Sequence, residues 1–360
     1  MNLPRYVKTL TKSFDEMPLT HLDVLAFTWM TYFDMTAIEG GLPKRFAEFR
    51  HSQFDKDLEK LHQSAVARMS ASLARAVMDS PRYRDAILLR NVETYGERNI
   101  QFGAIAFDVG GYIIIAFEGT DLSSTGWEED CMMSYSDEIA SYPVGLQFTQ
   151  EILDSTDKPV ILSGHSKGGN IAVYVAAKMK DASRIVKTYS FEGPGFHRDD
   201  LFAEHPEREA LVIKYIPKGS MIGILLNSNA KSLVVRSNSV GIFQHNAMKW
   251  NIRGHDFCYV KQLGLKSRIL ERAVNDWLNR LTDEDKKRFV DLLFGALGEK
   301  RIRATSLVRD AVKGLPDIVG AFNKMSEEDR AFMGRVVREL RFVSPTGKKK
   351  TEPAPKLISE

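Results

Sequence analysis

The chain has 360 residues, 43% hydrophobic and 27% charged, an ordinary globular balance with room for one large α/β domain and an appendage. Lys and Arg number 50 against 47 Asp and Glu, a formal charge of +3, which is too even to argue for a nucleic-acid partner. The two cysteines, Cys131 and Cys258, form no disulfide framework and show no metal-ligand spacing, so packed thiols in a reducing compartment are expected, with no metal and no cofactor.

The N-terminal stretch "MNLPRYVKTLTKSFDEMPLT" has basic residues without an apolar segment behind them, and no run reaches the length of a membrane span; a cytoplasmic protein is expected. Residues 21–35 are apolar at helical spacings, and the stretch from Lys44 to about Ser80 reads as a long, charged amphipathic helix, both packed on a sheet. From Asp85 the period changes to that of strands. "AILLRNVETYG", "IQFGAIAFDV" and "YIIIAFEG" predict three strands in succession, with a hairpin turn at "DVGG", Asp108 to Gly111.

After Pro159 strands alternate with helical or turn segments: "PVILSG", "KGGNIAVYVAAKMK", "RIVKTYSFEG", "ALVIKYIP" and "SLVVRSN". This predicts a mainly parallel central sheet with an antiparallel start, in an α/β fold. Ser166, in "LSGHSKGGN", then falls at a strand-to-helix junction between Gly164 and Gly168. Gly-x-Ser-x-Gly also occurs in ordinary turns, where the serine only caps a backbone N–H. After a buried strand, however, the same pattern is that of a nucleophile elbow, whose small residues let strand and helix approach closely.

A serine nucleophile needs an oxyanion hole, a base and a group that orients the base. The N–H of Lys167, at the start of the following helix, is one oxyanion donor; the loop "AFEGTDLSSTGWEEDCMM" supplies the other at Thr120. Here "AFEGT", Trp127, Asp130 and "GHSKGG" resemble the class 3, fungal-type triacylglycerol lipases. "GHSKGGN", "FEGPGF", "IPKGSMIG" and "QHNAMKW" together resemble an uncharacterised bacterial lipase-like branch of the α/β-hydrolases, over roughly residues 20–300. The resemblance implies hydrolysis of carboxylic esters, with Ser166 as nucleophile and Thr120 and Lys167 as oxyanion residues. Lys167 departs from the leucine usual in the fungal-type enzymes and would bring a cation near the mouth, while Glu118 replaces the usual arginine.

Of the histidines, His245 lies beyond the last confident strand and is the expected base, with His255 as competitor; His51, His62, His165, His197 and His205 are less well placed. The acid is open. Where the fungal-type pattern would place it, "YIPKGSMIG" carries Ser220 and no carboxylate, so Glu192, before the Gly-Pro-Gly turn, is preferred. Asp199 or Asp200, and a Ser and His dyad steadied by Ser220, are the alternatives.

Trp127, Cys131 and Met132 form the apolar side of a short helical turn that reads either as a lid or as ordinary covering structure. Glu128, Glu129 and Asp130 are expected on its other face. From about Lys266 the chain becomes helical and charged, with helix starts at Thr282 and Ser326 and an apolar stripe of Ile269, Ala273, Trp277 and Leu281. The expected organisation is a lipase-like domain over 1–265, a helical extension over 266–343 packed against it, and a disordered tail over 344–360. Two functions follow: a serine ester hydrolase acting on a small-molecule or lipid ester, with transient contact at a membrane surface, or a non-catalytic scaffold of the same fold that binds a ligand or protein.

Overall fold

A computed structural model describes residues 1–33, 35, 41–49, 65–95, 100–120, 124–297 and 325–341. Its centre is an eight-stranded sheet whose strands lie side by side in chain order. These are β1 (Lys44–Arg45), β2 (Ile87–Tyr95), β3 (Gln101–Asp108), β4 (Ile113–Phe117), β5 (Val160–His165), β6 (Ile185–Phe191), β7 (Val212–Pro217) and β8 (Lys231–Val235). The first four pair antiparallel, and β4 through β8 run parallel. The expected hairpin joins β3 to β4, with Gly110 at φ 87°, a left-handed conformation that glycine adopts without steric cost.

The period of two in β3 and β4 accounts for the layering. Ile105, Phe107, Ile114 and Ala116 enter one core, whereas Phe102, Ala104, Ala106, Ile113, Ile115 and Phe117 enter the other. Parallel strands that follow one another in order need crossovers of one hand, which puts the connecting helices on one face of the sheet. The second core accordingly contains Phe148 and Ile152 of a helix over Ser141–Ser155 and Ile171 and Val175 of a helix over Lys167–Lys178. The opposite face is covered from outside the crossovers, by helices over Leu3–Val7, His21–Met30 and Ala65–Asp79 together with Trp250, Ile252 and Phe257.

The helix His21–Met30 carries almost no polar face, in keeping with its position between β5 and the other N-terminal segments. It begins with a reciprocal capping box between Thr20 and Asp23. Asp23 also forms a fully buried pair with Arg82 (Nη2 to Oδ2, 2.7 Å). Arg82 in addition donates to the carbonyls of Lys12, Ser13, Met17 and Pro18, and Tyr83 donates to Asp23. The loop before the helix is thus closed by one guanidinium whose donors are all directed inward, the arrangement a buried cation requires.

The expected long helix from Lys44 is corrected at its start: Lys44–Arg45 is a strand and Phe46–Glu48 a 3-10 turn. Pairing of Lys44 with Leu88 and Arg45 with Ile87 satisfies backbone groups that charge patterning alone assigns to helix. The helical part that is described is Ala65–Asp79. Past the sheet, helices over Leu265–Leu278, Asp283–Leu297 and Glu327–Arg341 build a small core of Leu281, Phe332, Met333 and Val336. Trp277 joins it and donates to the carbonyl of Val336. Thr282 and Ser326 accept from the N–H of Asp285 and Asp329, as expected of helix caps. The helix Asp283–Leu297 touches a helix over Ser124–Met132. The expected tail lies outside the described residues.

Breaking a buried ion pair leaves an uncompensated charge, at a cost of about 3–5 kcal/mol. Arg82→Met is therefore expected to destabilise the fold by that order in urea unfolding; a loss below about 1 kcal/mol would show that the pair is not the closure described.

Candidate functional site

Ser166 stands between the last residue of β5 and the helix Lys167–Lys178, at φ 57° and ψ −128°. L-residues rarely hold that backbone. Two close approaches impose it. A Cβ at Gly164 would lie 2.0 Å from the carbonyl oxygen of Gly168, and one at Gly168 would lie 2.1 Å from that of Phe117. Strand, helix and the end of β4 therefore meet at distances that exclude side chains, and the chain turns at Ser166. The Ser166 hydroxyl makes no capping bond to the helix it precedes, so it does not play the part serine has in an ordinary turn.

The end of β4 brings Gly119 and Thr120 to the same place; a Cβ at Gly119 would come within 3.2 Å of Ser166 Cβ. The Thr120 hydroxyl donates to Asp130 Oδ2 at 2.6 Å. Lys167, at the start of the helix, has a backbone N–H without an intrahelical acceptor. Its side chain corrects the expectation of a cation near the mouth. It is 1% exposed, and Nζ donates to the carbonyl of Gln101 and to Gln101 Oε1, both at 2.6 Å, and to Glu129 Oε2 at 2.8 Å.

The helix Ser124–Met132 is corrected in the same way. Its acids do not form a solvated face: Glu129 is buried and also accepts from the N–H of Ser141, and Asp130 holds Thr120. Trp127, Cys131 and Met132 are half-buried, with Met132 packed on the second core. Burial pushes the Cys131 thiol up to about 12, and both cysteines are free thiols. Burial likewise raises the Asp130 carboxyl to about 6, against the opposing pull of Lys167 and the Thr120 hydroxyl.

Glu192 follows β6, fully buried and itself at φ 57°. The turn after it is held by Asn170, which donates to the carbonyl of Gly195 at 2.7 Å and accepts from Tyr142 at 2.6 Å. Ser220 donates to Glu192 Oε1 at 2.8 Å, and the same oxygen lies 3.8 Å from His245 Nδ1. Among the described residues, Glu192 Oε2 and His245 Nδ1 have no hydrogen-bond partner. Ser220 thus adjoins the carboxylate.

His245 ends a 3-10 turn over Gly241–His245 that is tied down at three points. Gln244 accepts from Trp250 Nε1 through its carbonyl and from the N–H of Gly219 through its side chain. The carbonyl of His245 lies 2.8 Å from His165 Nε2. A carbonyl only accepts, so Nε2 of His165 carries the proton, and Nδ1 accepts from the Tyr32 hydroxyl at 2.7 Å. Burial drives the His165 pKa well below its usual value, which keeps the ring neutral. A chain of groups from the N-terminal layer therefore positions the backbone of His245. Sequence reasoning passed over His165 and Tyr32; the only signal was the position of His165 directly before the serine.

The alternatives lie elsewhere. His255 is exposed and bonded to Tyr6, while Asp199 and Asp200 are on the surface. His197 contacts Ser134 and Asp283, and His205 contacts Glu207. His21, stacked on Tyr215, pairs with Asp256. His51 and His62 lie outside the described residues. Among the described residues no group of three or more His, Cys, Asp or Glu is placed to hold a metal, and no helix is long and apolar enough to cross a membrane.

Residues 77–295 match the Mbeg1-like family. The chain belongs to this family. No curated protein matches it. Among solved structures it is similar to a lipase from Rhizopus microsporus var. chinensis (12% identity, 69% of this chain and 80% of that one, TM-score 0.41). It is also similar to M37 lipase (14%, 89% and 99%, 0.37) and to lipase II from Rhizopus niveus (13%, 61% and 83%, 0.37).

Two measurements test the buried network. Glu129→Ala leaves the Lys167 ammonium without its counter-charge and should cost about 3–5 kcal/mol in urea unfolding, whereas Lys167→Met combined with Glu129→Gln should cost less than that single change; the reverse order would contradict the pairing. Asp130 titrates near 4 when unfolded and at about 6 when folded. Between those values the folded state holds a proton the unfolded state lacks, so the stability due to this group is full below about pH 4 and lost as pH rises through about 6. Asp130→Asn should remove that downward slope from the urea midpoints; an unchanged slope would place its source in another group.

Proposed function

We propose that the protein is a serine hydrolase of carboxylic esters that works through an acyl-enzyme, with Ser166 as nucleophile, His245 as base and Glu192 as the acid that orients it. The observation that carries this reading is the pairing of the Ser166 turn with the Glu192 and His245 contact at the same edge of the sheet. Two non-glycine residues are held at positive φ at adjacent strand ends, which is costly.

In the first step the Ser166 Oγ attacks the ester carbonyl while the Nε2 of His245 takes its proton. Charge that develops on the carbonyl oxygen is received by the backbone N–H groups of Thr120 and Lys167. The hydroxyl of Thr120 is engaged with the Asp130 carboxylate, so the backbone supplies the donation while Asp130 fixes the loop. As the imidazole becomes imidazolium, its Nδ1–H is drawn to the Glu192 carboxylate, whose Oε2 is free to accept among the described residues. The present separation of 3.8 Å shortens in that charged state, as catalytic contacts commonly do between free and substrate-bound enzymes. The imidazolium then protonates the leaving alcohol. A water deprotonated by the same ring releases the acid and restores Ser166.

A fluorophosphonate probe is expected to label the protein at Ser166 and to leave the folded Ser166→Ala variant unlabelled. His245→Ala and Glu192→Gln should each lower kcat by several orders of magnitude, since members of such a triad act as a unit. Because Glu192→Gln keeps the volume and one acceptor for Ser220, its circular dichroism and unfolding should stay near those of the parent. Retention of ester turnover in all three variants would place the catalytic residues elsewhere, and absence of both labelling and turnover in the parent protein would leave the non-catalytic scaffold as the reading.

A further inference from the structure

The turn that carries His245 is apolar and outward-facing on its remaining residues. Val240 is 76% exposed, Phe243 64% and Ile242 41%, although the same turn is fixed through Gln244 and His245. Exposed apolar side chains on a tethered turn are not loose core; they are a surface the fold holds in place. Two neighbours extend it. Met221 follows Ser220 on the loop after β7, and Leu265, 66% exposed, follows Gly264, whose N–H donates to the carbonyl of Lys218 at 2.7 Å.

The charge of this region is one-sided. Residues 210–270 contain nine Lys and Arg and a single acid, Asp256, in a chain that is otherwise nearly balanced. Asp256 is already engaged by His21 and Tyr259. Four of the cations lie on the rim itself and are exposed. Lys218 is the first residue past β7 and Arg236 the first past β8. Lys261 follows Val260, whose N–H bonds to Val234 at the end of β8, and Lys266 follows Leu265.

We propose that this rim docks the protein on an anionic phospholipid bilayer, with Val240, Ile242 and Phe243 in the headgroup boundary and Lys218, Arg236, Lys261 and Lys266 against the lipid phosphates. Apolar anchors ringed by cations combine the two forces that hold a protein at such a surface. A second copy of the chain is a poorer occupant, because a two-fold contact would bring the same cations against themselves. The docked face surrounds the site proposed above, and its use, though not its binding, rests on that reading: ester groups of membrane lipids would be delivered beside His245.

The test is co-sedimentation of the full chain with vesicles of phosphatidylcholine alone and of phosphatidylcholine mixed with phosphatidylserine. Binding is expected to the mixed vesicles, to weaken with salt, and to be equal for Ser166→Ala, which separates docking from catalysis. Val240→Ser with Phe243→Ser should abolish it while hydrolysis of a short soluble ester persists. Lys218→Gln with Lys266→Gln should weaken it by about 30-fold. Absence of vesicle binding, equal affinity for neutral vesicles, or unchanged binding by either double variant overturns the proposal. So does a concentration-dependent dimer that the serine variant disperses, which would assign the face to a second copy.

Discussion

Three backbone segments meet with no room for a side chain between them: Gly164 of β5 against Gly168 of the following helix, with Gly168 in turn against the end of β4. Everything at the candidate site is placed relative to this three-way contact. Because no side chain separates the segments, the helix starts at once after the strand, and Ser166 must take a positive φ. The same approach presses Gly119, the residue before Thr120, toward Ser166. The strain is offset by the sheet, since the N–H of Ser166 still bonds to the carbonyl of Phe191 and that of Glu192 to Tyr215. Positive φ at Ser166 and at Glu192 therefore coexists with an intact ladder.

A contact so tight leaves polar groups below it that must be satisfied internally. Lys167 meets this demand in an unusual way. Its ammonium runs under the end of β4 to three acceptors, two of them on Gln101 and one on Glu129. Gln101 in turn reaches the carbonyl of Gly119, and Glu129 reaches the N–H of Ser141. One buried cation thus links β3, the helix that begins with Lys167, the helix over Ser124–Met132 and the start of the helix over Ser141–Ser155. The helix called a candidate lid is fastened at Glu129 and Asp130, and the helix Asp283–Leu297 lies against it.

What was legible in the sequence is what depends on local spacing. Small residues two positions either side of Ser166, the unbroken apolar run "IIIAF" and a glycine turn before it are all properties of neighbouring residues, and the elbow, the strands and the hairpin follow from them. That Glu192 and His245 come to one edge of the sheet was legible because strand ends converge on one rim whatever the side chains between them. The side-chain directions were not. Charged residues on a short helix are expected to face water, and Glu129 and Asp130 turn inward only because Lys167 and Thr120, distant or across a loop, compensate them. Lys44–Arg45 reads as helix by charge and becomes a strand because β2 offers an open edge. Tyr32 and His165 are 133 positions apart, beyond any pattern of spacing.

The N-terminal layer is consequently part of the site although it contributes none of the proposed triad. Its helix over His21–Met30 packs on β5, bonds Ser163 through Thr28 and is clamped at its start by Arg82. The ring of Trp29 in its last turn and Tyr32 just beyond it hold His165, and His165 holds the carbonyl of His245. A neutral His165 is essential to this arrangement. Were it protonated, Nδ1 would become a donor facing the Tyr32 hydroxyl, and a second cation would lie 4.5 Å, ring to ring, from His245. Like charges at that distance would oppose formation of the imidazolium that acyl transfer requires. Burial of His165 under Trp29 and Tyr32 removes that competition beside the ring proposed as the base.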